Sequence, residues 1–373
     1  MAMLEQLTQV INSTGFLSLT PGNLIMWIIA FILMYLAIKK GVEPLLLVPI
    51  SFGIFAANFP LTGLMEQGGL FYMFFHNGIQ NELIPPLIFL GLGAMTDFGP
   101  VIANPKTLLL GAAAQLGVYA AFFTALLFGF SIAEAAVIGI IGGADGPTTI
   151  FLSANLAPHL MGAVSVAAYS YMALVPLIIP PVARLLTTPK ERAMVMKQMR
   201  PVSKGEKILF PLLASLVIIL LVPKSAPLIA MFMLGNLFME SGVVQRLTDV
   251  SRNELMNIVT IILGLGVGAT MSAENFLKPQ TIYIFILGIV AFAFASAGGI
   301  LIAKIMNLFT TNKVNPLIGA AGVSAVPMAA RVVHQLGAEA NPQNYLLMHA
   351  MGPNVAGVIG TAVAAGAFLT AIH

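Results

Sequence analysis

The run Ile138-Gly-Ile-Ile-Gly-Gly-Ala-Asp-Gly-Pro-Thr-Thr-Ile150 sets a single acid, Asp145, among glycines and a proline in a chain that is otherwise apolar. Glycine and proline at this density interrupt a regular helix, so the run predicts a break. A carboxylate in hydrocarbon is costly, and one placed there ordinarily handles an ion or a proton. The stretch therefore bears on fold and function together.

Working outward, hydrophobic residues make up 58% of the 373 and charged residues 8%, beyond the apolar share of a soluble domain. This predicts an all-α polytopic membrane protein in the lipid bilayer. Residues 1–20 carry Glu5, Gln6 and Asn12 rather than a basic region and an apolar core, and read as an amphipathic lead-in, not a cleavable signal. The absence of cysteine excludes disulfides, thiolate metal sites and thiol nucleophiles. The histidines lack ligand spacing, and no nucleotide loop or serine-hydrolase elbow is present, which argues against an ATP-driven pump. No nucleic-acid partner is expected.

Apolar stretches able to cross about 30 Å of hydrocarbon fall near 22–39, 44–60, 83–100, 106–131 and 159–182, and again near 208–223, 227–240, 256–275, 282–306 and 344–370. Between the fourth and fifth member of each set lies a Gly/Ala-rich segment, 132–157 or 313–337, interrupted by Pro147 or Pro327. The two sets are copies. Leu90-Gly-Leu-Gly93 recurs as Leu263-Gly-Leu-Gly266 at an offset of 173, Pro105-Lys-Thr107 pairs with Pro279-Gln-Thr281 at 174, and Pro147 falls on Pro327 at 180. Such self-similarity predicts two repeats, 21–182 and 208–373, joined by a basic linker, 183–207, with the site where the broken segments meet near the midplane.

If each broken segment re-enters from its own side, each half has five crossings, and the odd number inverts the second half. A cytoplasmic linker then puts Lys39, Lys40, Lys106, the linker's own Arg and Lys residues, Arg246, Arg252, Lys304 and Lys313 inside. Only Lys224 and Lys278 fall outside, with Arg331 in the second broken segment. This asymmetry favours two inverted-topology repeats over parallel ones. Met196-Lys-Gln-Met199 has the wrong spacing for a biotin acceptor and is expected to lie in a helical part of the linker.

Unwound backbone in a bilayer lines a wet cavity or is satisfied by protein, and its carbonyls are available to cations. Asp145 supplies charge in the first segment, while Asn315, Gly319, Ser324 and Arg331 populate the second. Tyr169 and Tyr171 follow the first; Asn354, in Gly352-Pro-Asn-Val-Ala-Gly357, follows the second. Oxygen ligands of this kind suit a hard monovalent cation, and Na⁺ fits. Without the cation, burial favours a proton on the acid, so one carboxylate alternates between Na⁺ and H⁺. Each residue also has a plainer reading: Asp145, Asn315 and Asn354 as caps or turn formers, Gly319 and Ser324 as packing residues, Arg331 as a lipid contact and the tyrosines as interfacial residues.

Gly142-Gly-Ala-Asp-Gly-Pro-Thr148, Asn315 through Arg331, and Gly352 through Gly357, in that order, resemble the beta subunits of the sodium-pumping, biotin-dependent decarboxylases, acting on oxaloacetate, methylmalonyl-CoA or glutaconyl-CoA. The likeness covers nearly the whole chain, and its compact length looks more like the CoA-ester members. It implies a multi-pass subunit of the bacterial cytoplasmic (inner) membrane that decarboxylates carboxybiotin and exports Na⁺ while consuming a proton. The biotin would sit on a partner carrier protein, beside a carboxyltransferase alpha subunit and a small membrane gamma or delta subunit, with this chain a homotrimer. It implies functional roles for the residues matching Asp145, Tyr169, Tyr171, Asn315, Gly319, Ser324, Arg331 and Asn354. The expected scheme has Asp145, Asn315, Ser324 and Asn354 hold Na⁺ with Gly319 lining the site. Tyr171 relays the proton, and Arg331, with Tyr169 and Ser324, receives carboxybiotin. The alternative from another class is a secondary Na⁺/H⁺ exchanger or Na⁺-coupled carboxylate transporter of the same design.

Overall fold

The computed structural model describes residues 14–372, so most of the expected amphipathic lead-in lies outside the described residues. Everything regular among them is helical. The first half contains α1 (Pro21–Lys40), α2 (Pro44–Ala57), α3 (Ile84–Met95), α4 (Thr107–Leu127), α5 (Ile132–Ile140), α6 (Gly146–Leu156) and α7 (Met161–Leu186). The second contains α8 (Lys204–Leu221), α9 (Ala226–Ser241), α10 (Met256–Ala269), α11 (Pro279–Phe309), α12 (Met328–Ala340) and α13 (Leu347–Ile372).

All ten apolar stretches are helical, but they are unequal. Among the described residues, five helical spans are long and apolar enough to cross a membrane: α1, α4, the continuous Gln245–Ala269, α11 and α13. α7 makes a sixth if its two limbs, bent by 63° near Tyr171–Leu174, are counted together. The others are either short or open on charged residues. α2 has 14 residues and α3 has 12, about 21 Å and 18 Å at 1.5 Å per residue, and α8 opens on Lys204, Glu206 and Lys207.

The internal repeat has a packing counterpart. α2 packs on α10 and α3 on α9; α7 packs on α11 and α13 on α4; α1 pairs with α2 and α8 with α9; and α4 lies along α11. Exchanging the halves maps each contact onto another. The repeated Leu-Gly-Leu-Gly motif sits at two of these crossings. A Cβ on Gly93 would lie 1.9 Å from the Phe232 carbonyl oxygen, and one on Gly235 2.0 Å from that of Leu90. In the equivalent crossing, a Cβ on Gly268 would lie 2.1 Å from the Ile50 oxygen and one on Gly53 2.6 Å from that of Leu265. Helices in lipid gain little from hydrophobic burial, so close backbone approach at small residues supplies the packing.

The two ends of each broken segment lie close to a common contact. His159 Nε2 and Glu134 Oε1 are 2.9 Å apart, joining the ends of the first. Asn315 and Asn341, at the two ends of the second, both bond carbonyls of the linker at residues 192–194. The 26-residue α7 lies between His159 and the linker. The linker itself is less regular than expected: after a four-residue turn of helix, Pro189–Arg192, the backbone from 194 to 203 has no regular structure. Its carbonyls there are engaged by asparagine side chains instead of by a helix. Glu191 is held below the usual carboxylate range by hydrogen bonds from Thr188 and by Lys304, despite the opposing effect of partial burial.

Gly93→Ala should lower the midpoint of thermal unfolding in detergent by several degrees, since overpacking a fixed backbone crossing costs about 1–3 kcal/mol. Gly205→Ala, where nothing lies within 4 Å of the added methyl, should leave it unchanged. Equal midpoints for the two variants would contradict the crossing.

Candidate functional site

The first break is made by three successive choices of backbone. α5 tightens into a 3₁₀ turn, Ile141–Gly143; Ala144 then adopts a left-handed conformation, φ 58° and ψ 39°; and Asp145 is extended, φ −123° and ψ 101°. A non-glycine residue in the left-handed region costs on the order of 1 kcal/mol, which the surrounding packing must offset. Asp145 then caps α6: Oδ1 accepts from the Thr148 N–H at 3.2 Å, Oδ2 from Thr148 Oγ1 at 2.8 Å, and its carbonyl from Thr149 Oγ1 at 2.8 Å. Pro147 suits the first turn, where a missing N–H is harmless. The carboxylate is 4% exposed and faces the positive end of α6.

The second break opens with a 3₁₀ helix, Pro316–Gly322, capped by Asn315 Oδ1, which accepts from Leu317 N. It continues through Ser324 and a cis Val326–Pro327 bond into α12. The breaks meet directly. Ser324 N–H donates to the Gly143 carbonyl at 2.9 Å, two residues before Asp145. From α13, Asn354 Nδ2 donates to the carbonyls of Ala321 and Val323 at 3.0 and 2.5 Å. Asn354 Oδ1 is buried without a hydrogen-bond partner among the described residues.

Tyr169 and Tyr171 are separated by the turn of their helix. Residues two apart point about 200° away from each other, and only Tyr169 lies at the break: a Cβ on Gly146 would fall 2.2 Å from its ring. Its hydroxyl is buried and has no partner among the described residues. Tyr171 instead packs on Gly288, stands edge-on to Phe285, and donates its hydroxyl to the Phe285 carbonyl on α11.

The remaining residues are dispersed. Asn315 Nδ2 donates to the Arg192 and Met194 carbonyls at 3.0 and 2.8 Å, so its amide clamps the linker. Asn344 adds a bond to the Arg192 carbonyl at 2.9 Å. Gly319 meets Gly299 back to back, where a Cβ would lie 2.1 Å from the Gly299 oxygen. Arg331 is exposed, with no side-chain hydrogen bond or ion pair among the described residues. The structure thus brings Asp145, Tyr169, Ser324 and Asn354 to the junction, and places Tyr171, Asn315, Gly319 and Arg331 in other contacts. Thr148, which satisfies both carboxylate oxygens, was overlooked although a hydroxyl residue three after an N-cap acid is a readable signal.

The family model of the Na⁺-transporting oxaloacetate decarboxylase beta subunit matches residues 22–372. The chain belongs to this family. It is 61% identical over 360 residues to the methylmalonyl-CoA decarboxylase subunit beta of Veillonella parvula, covering 96% of each chain. It is 58% identical over 371 residues to the glutaconyl-CoA decarboxylase subunit beta of Acidaminococcus fermentans, covering 100% of this chain and 99% of that one. Against the oxaloacetate decarboxylase beta chain of Klebsiella pneumoniae the identity is 49% over 427 residues, covering 98% and 99%. Membership makes it a subunit of a sodium-translocating decarboxylase, and its apolar helices mark a multi-pass membrane protein.

Asn315→Ala removes two amide hydrogen bonds to the linker, worth about 1 kcal/mol each. Trypsin cleavage at Lys197 in the assembled protein should therefore rise several-fold; an unchanged cleavage rate would show that the clamp does not hold the linker.

Proposed function

We propose that this subunit decarboxylates carboxybiotin presented by a partner carrier protein and couples that step to Na⁺ export, taking up one proton. The observation that carries the reading is the junction itself. The Ser324-to-Gly143 bond brings the second break against the turn leading into Asp145, and the bare Asn354 Oδ1 is anchored to that same second break. Asp145, Ser324 and Asn354 offer only oxygens, the donor set a hard monovalent cation takes.

In this scheme Na⁺ enters from the linker side and displaces a proton from Asp145. That proton passes to the ureido nitrogen of carboxybiotin as the N–C bond breaks and CO₂ leaves, so N–CO₂⁻ and H⁺ become N–H and CO₂. General acid assistance makes biotin the better leaving group. Of the two tyrosines, Tyr169 is the one beside the acid and takes the part of its proton-handling neighbour; Tyr171 keeps its helix seated on α11. Arg331, exposed on α12, is free to pair with the incoming carboxylate. Asn315 and Gly319 act on the cation at one remove, by holding the linker and the 3₁₀ helix.

The inverted, re-entrant reading is favoured by the closure of each segment upon itself. Glu134 with His159 closes the first, and the linker carbonyls close the second with α7 between. A cavity of about 240 Å³ lined by Glu134, His159, Thr270, Asn275 and Lys278 opens at the first end. It suits a vestibule for Na⁺ release on the far side of the cytoplasmic membrane. The carrier, the carboxyltransferase alpha subunit, a small gamma or delta membrane subunit and a homotrimer of this chain complete the proposed complex. The alignment to the oxaloacetate chain runs over 427 positions for a chain of 373 residues, so it requires longer insertions than the alignments to CoA-ester members, which run over 360 to 393. Length and identity both support a CoA ester as the upstream substrate.

Asp145→Asn tests the scheme in the purified complex. Attraction between Na⁺ and the carboxylate is on the order of 4 kcal/mol at about 4 Å and an effective dielectric of about 20, roughly a thousandfold in affinity. Na⁺-stimulated decarboxylation should vanish while carboxyl transfer to biotin continues; retention of Na⁺ stimulation would sink the proposal.

A further inference from the structure

Beyond the residues considered so far, two further polar side chains, Thr361 of α13 and Gln115 of α4, meet beside the junction, Thr361 touching Ser324 and Gln115 touching Thr361. Thr361 Oγ1 lies 2.9 Å from Ser324 Oγ, 3.0 Å from the Gly357 carbonyl and 3.4 Å from Gln115 Oε1. Ser324 Oγ and Thr361 Oγ1 bring one proton each, and the Gln115 oxygen is reached only at the longest of these distances. The Gln115 amide offers little more, since Nε2 reaches the Gly111 and Gly357 carbonyls only at 3.3 and 3.4 Å. The group is 0–7% exposed. Each hydroxyl oxygen and the amide oxygen have two lone pairs, and those not used in these bonds are open to a cation.

The location is equally specific. Thr361 rests on the first break, where a Cβ on Gly143 would fall 2.5 Å from its Oγ1, while it bonds the second break through Ser324. It stands two turns beyond Asn354 on the same face of α13. We propose that Thr361 and Gln115 supply further oxygen ligands to the transported cation at the junction of the breaks, Thr361 directly and Gln115 as its amide neighbour. The inference rests on the Na⁺-coupled function above and extends its ion path. Neutral oxygens added to a single carboxylate suit a hard monovalent cation, Na⁺ or Li⁺. The competing account makes both residues interhelical glue, with Thr361 and Gln115 merely back-bonding to their own helices.

The test uses the purified, biotin-loaded complex, with decarboxylation followed against Na⁺ and Li⁺ concentration and thermal midpoints measured alongside. Thr361→Val should raise half-saturating Na⁺ roughly tenfold, equivalent to about 1.4 kcal/mol, and change the Na⁺/Li⁺ preference; Thr361→Ser should restore both. Gln115→Glu, nearly the same shape, should lower half-saturating Na⁺ and make it pH-dependent, and it keeps the question decidable if the valine variant does not assemble. Variants that lose thermal stability but retain wild-type Na⁺ and Li⁺ dependence would overturn the inference. Asp145→Asn, run in parallel, separates the cases: with Asp145→Asn inactive and Thr361→Val and Gln115→Glu unaltered, only this inference fails. An Asp145→Asn complex that is still stimulated by Na⁺ removes the underlying function and this inference with it.

Discussion

Backbone that leaves the helix inside a bilayer has no water to turn to, and here the two such segments satisfy one another. The bond from Ser324 N–H to the Gly143 carbonyl and the two bonds from Asn354 Nδ2 to the Ala321 and Val323 carbonyls close the accounts of both breaks at one place. An unpaired polar backbone group in hydrocarbon costs several kcal/mol, so neither break is stable alone. Each is the other's solvent. The same bond fixes the turn that leads into Asp145, since Gly143 stands two residues before it.

The glycine crossings are what permit such a meeting. α4 and α11 approach through Gly117, where a Cβ would lie 2.4 Å from the Ala291 oxygen. α11 then meets the second break at Gly299 and Gly319, and α13 meets it at Gly357, where a Cβ would lie 2.0 Å from the Gly322 oxygen. Removing side chains from these contacts draws three helices and both breaks into a volume where backbone oxygens and a few hydroxyls are the main polar groups. Sequence duplication gives the arrangement its economy: one Leu-Gly-Leu-Gly motif serves two crossings, related by exchange of the halves.

Much of this was readable in the chain, and the parts that were not share a physical cause. The breaks at Pro147 and Pro327, the repeat and the solitary Asp145 are local patterns, visible without knowing what packs on what. Which of Tyr169 and Tyr171 lies against the break depends on the rotational phase of α7 against α6, which no run of residues encodes; the structure packs Gly146 against the Tyr169 ring. Asn315 looked like an ion ligand because its partners, the carbonyls of Arg192 and Met194, lie more than a hundred residues away in a linker without periodicity. That α2 and α3 end inside their apolar stretches was not readable, because hydropathy registers apolar character and not where a helix stops.

The hydrogen bonding of Asp145 bears on how it exchanges its load. An ionised carboxylate has about four lone-pair positions, and Thr148 occupies one on each oxygen while α6 presents its positive end. A bare buried carboxylate would hold Na⁺ too tightly to release it, or would hold its proton against any cation. One satisfied at every lone pair would bind neither. Half-satisfied, the acid stays tolerable to the fold without a cation and keeps open directions for one. Under the proposed exchange, the cap that fixes the helix also moderates the affinity of the site, so structural and transport roles at Asp145 are one interaction and not competing explanations.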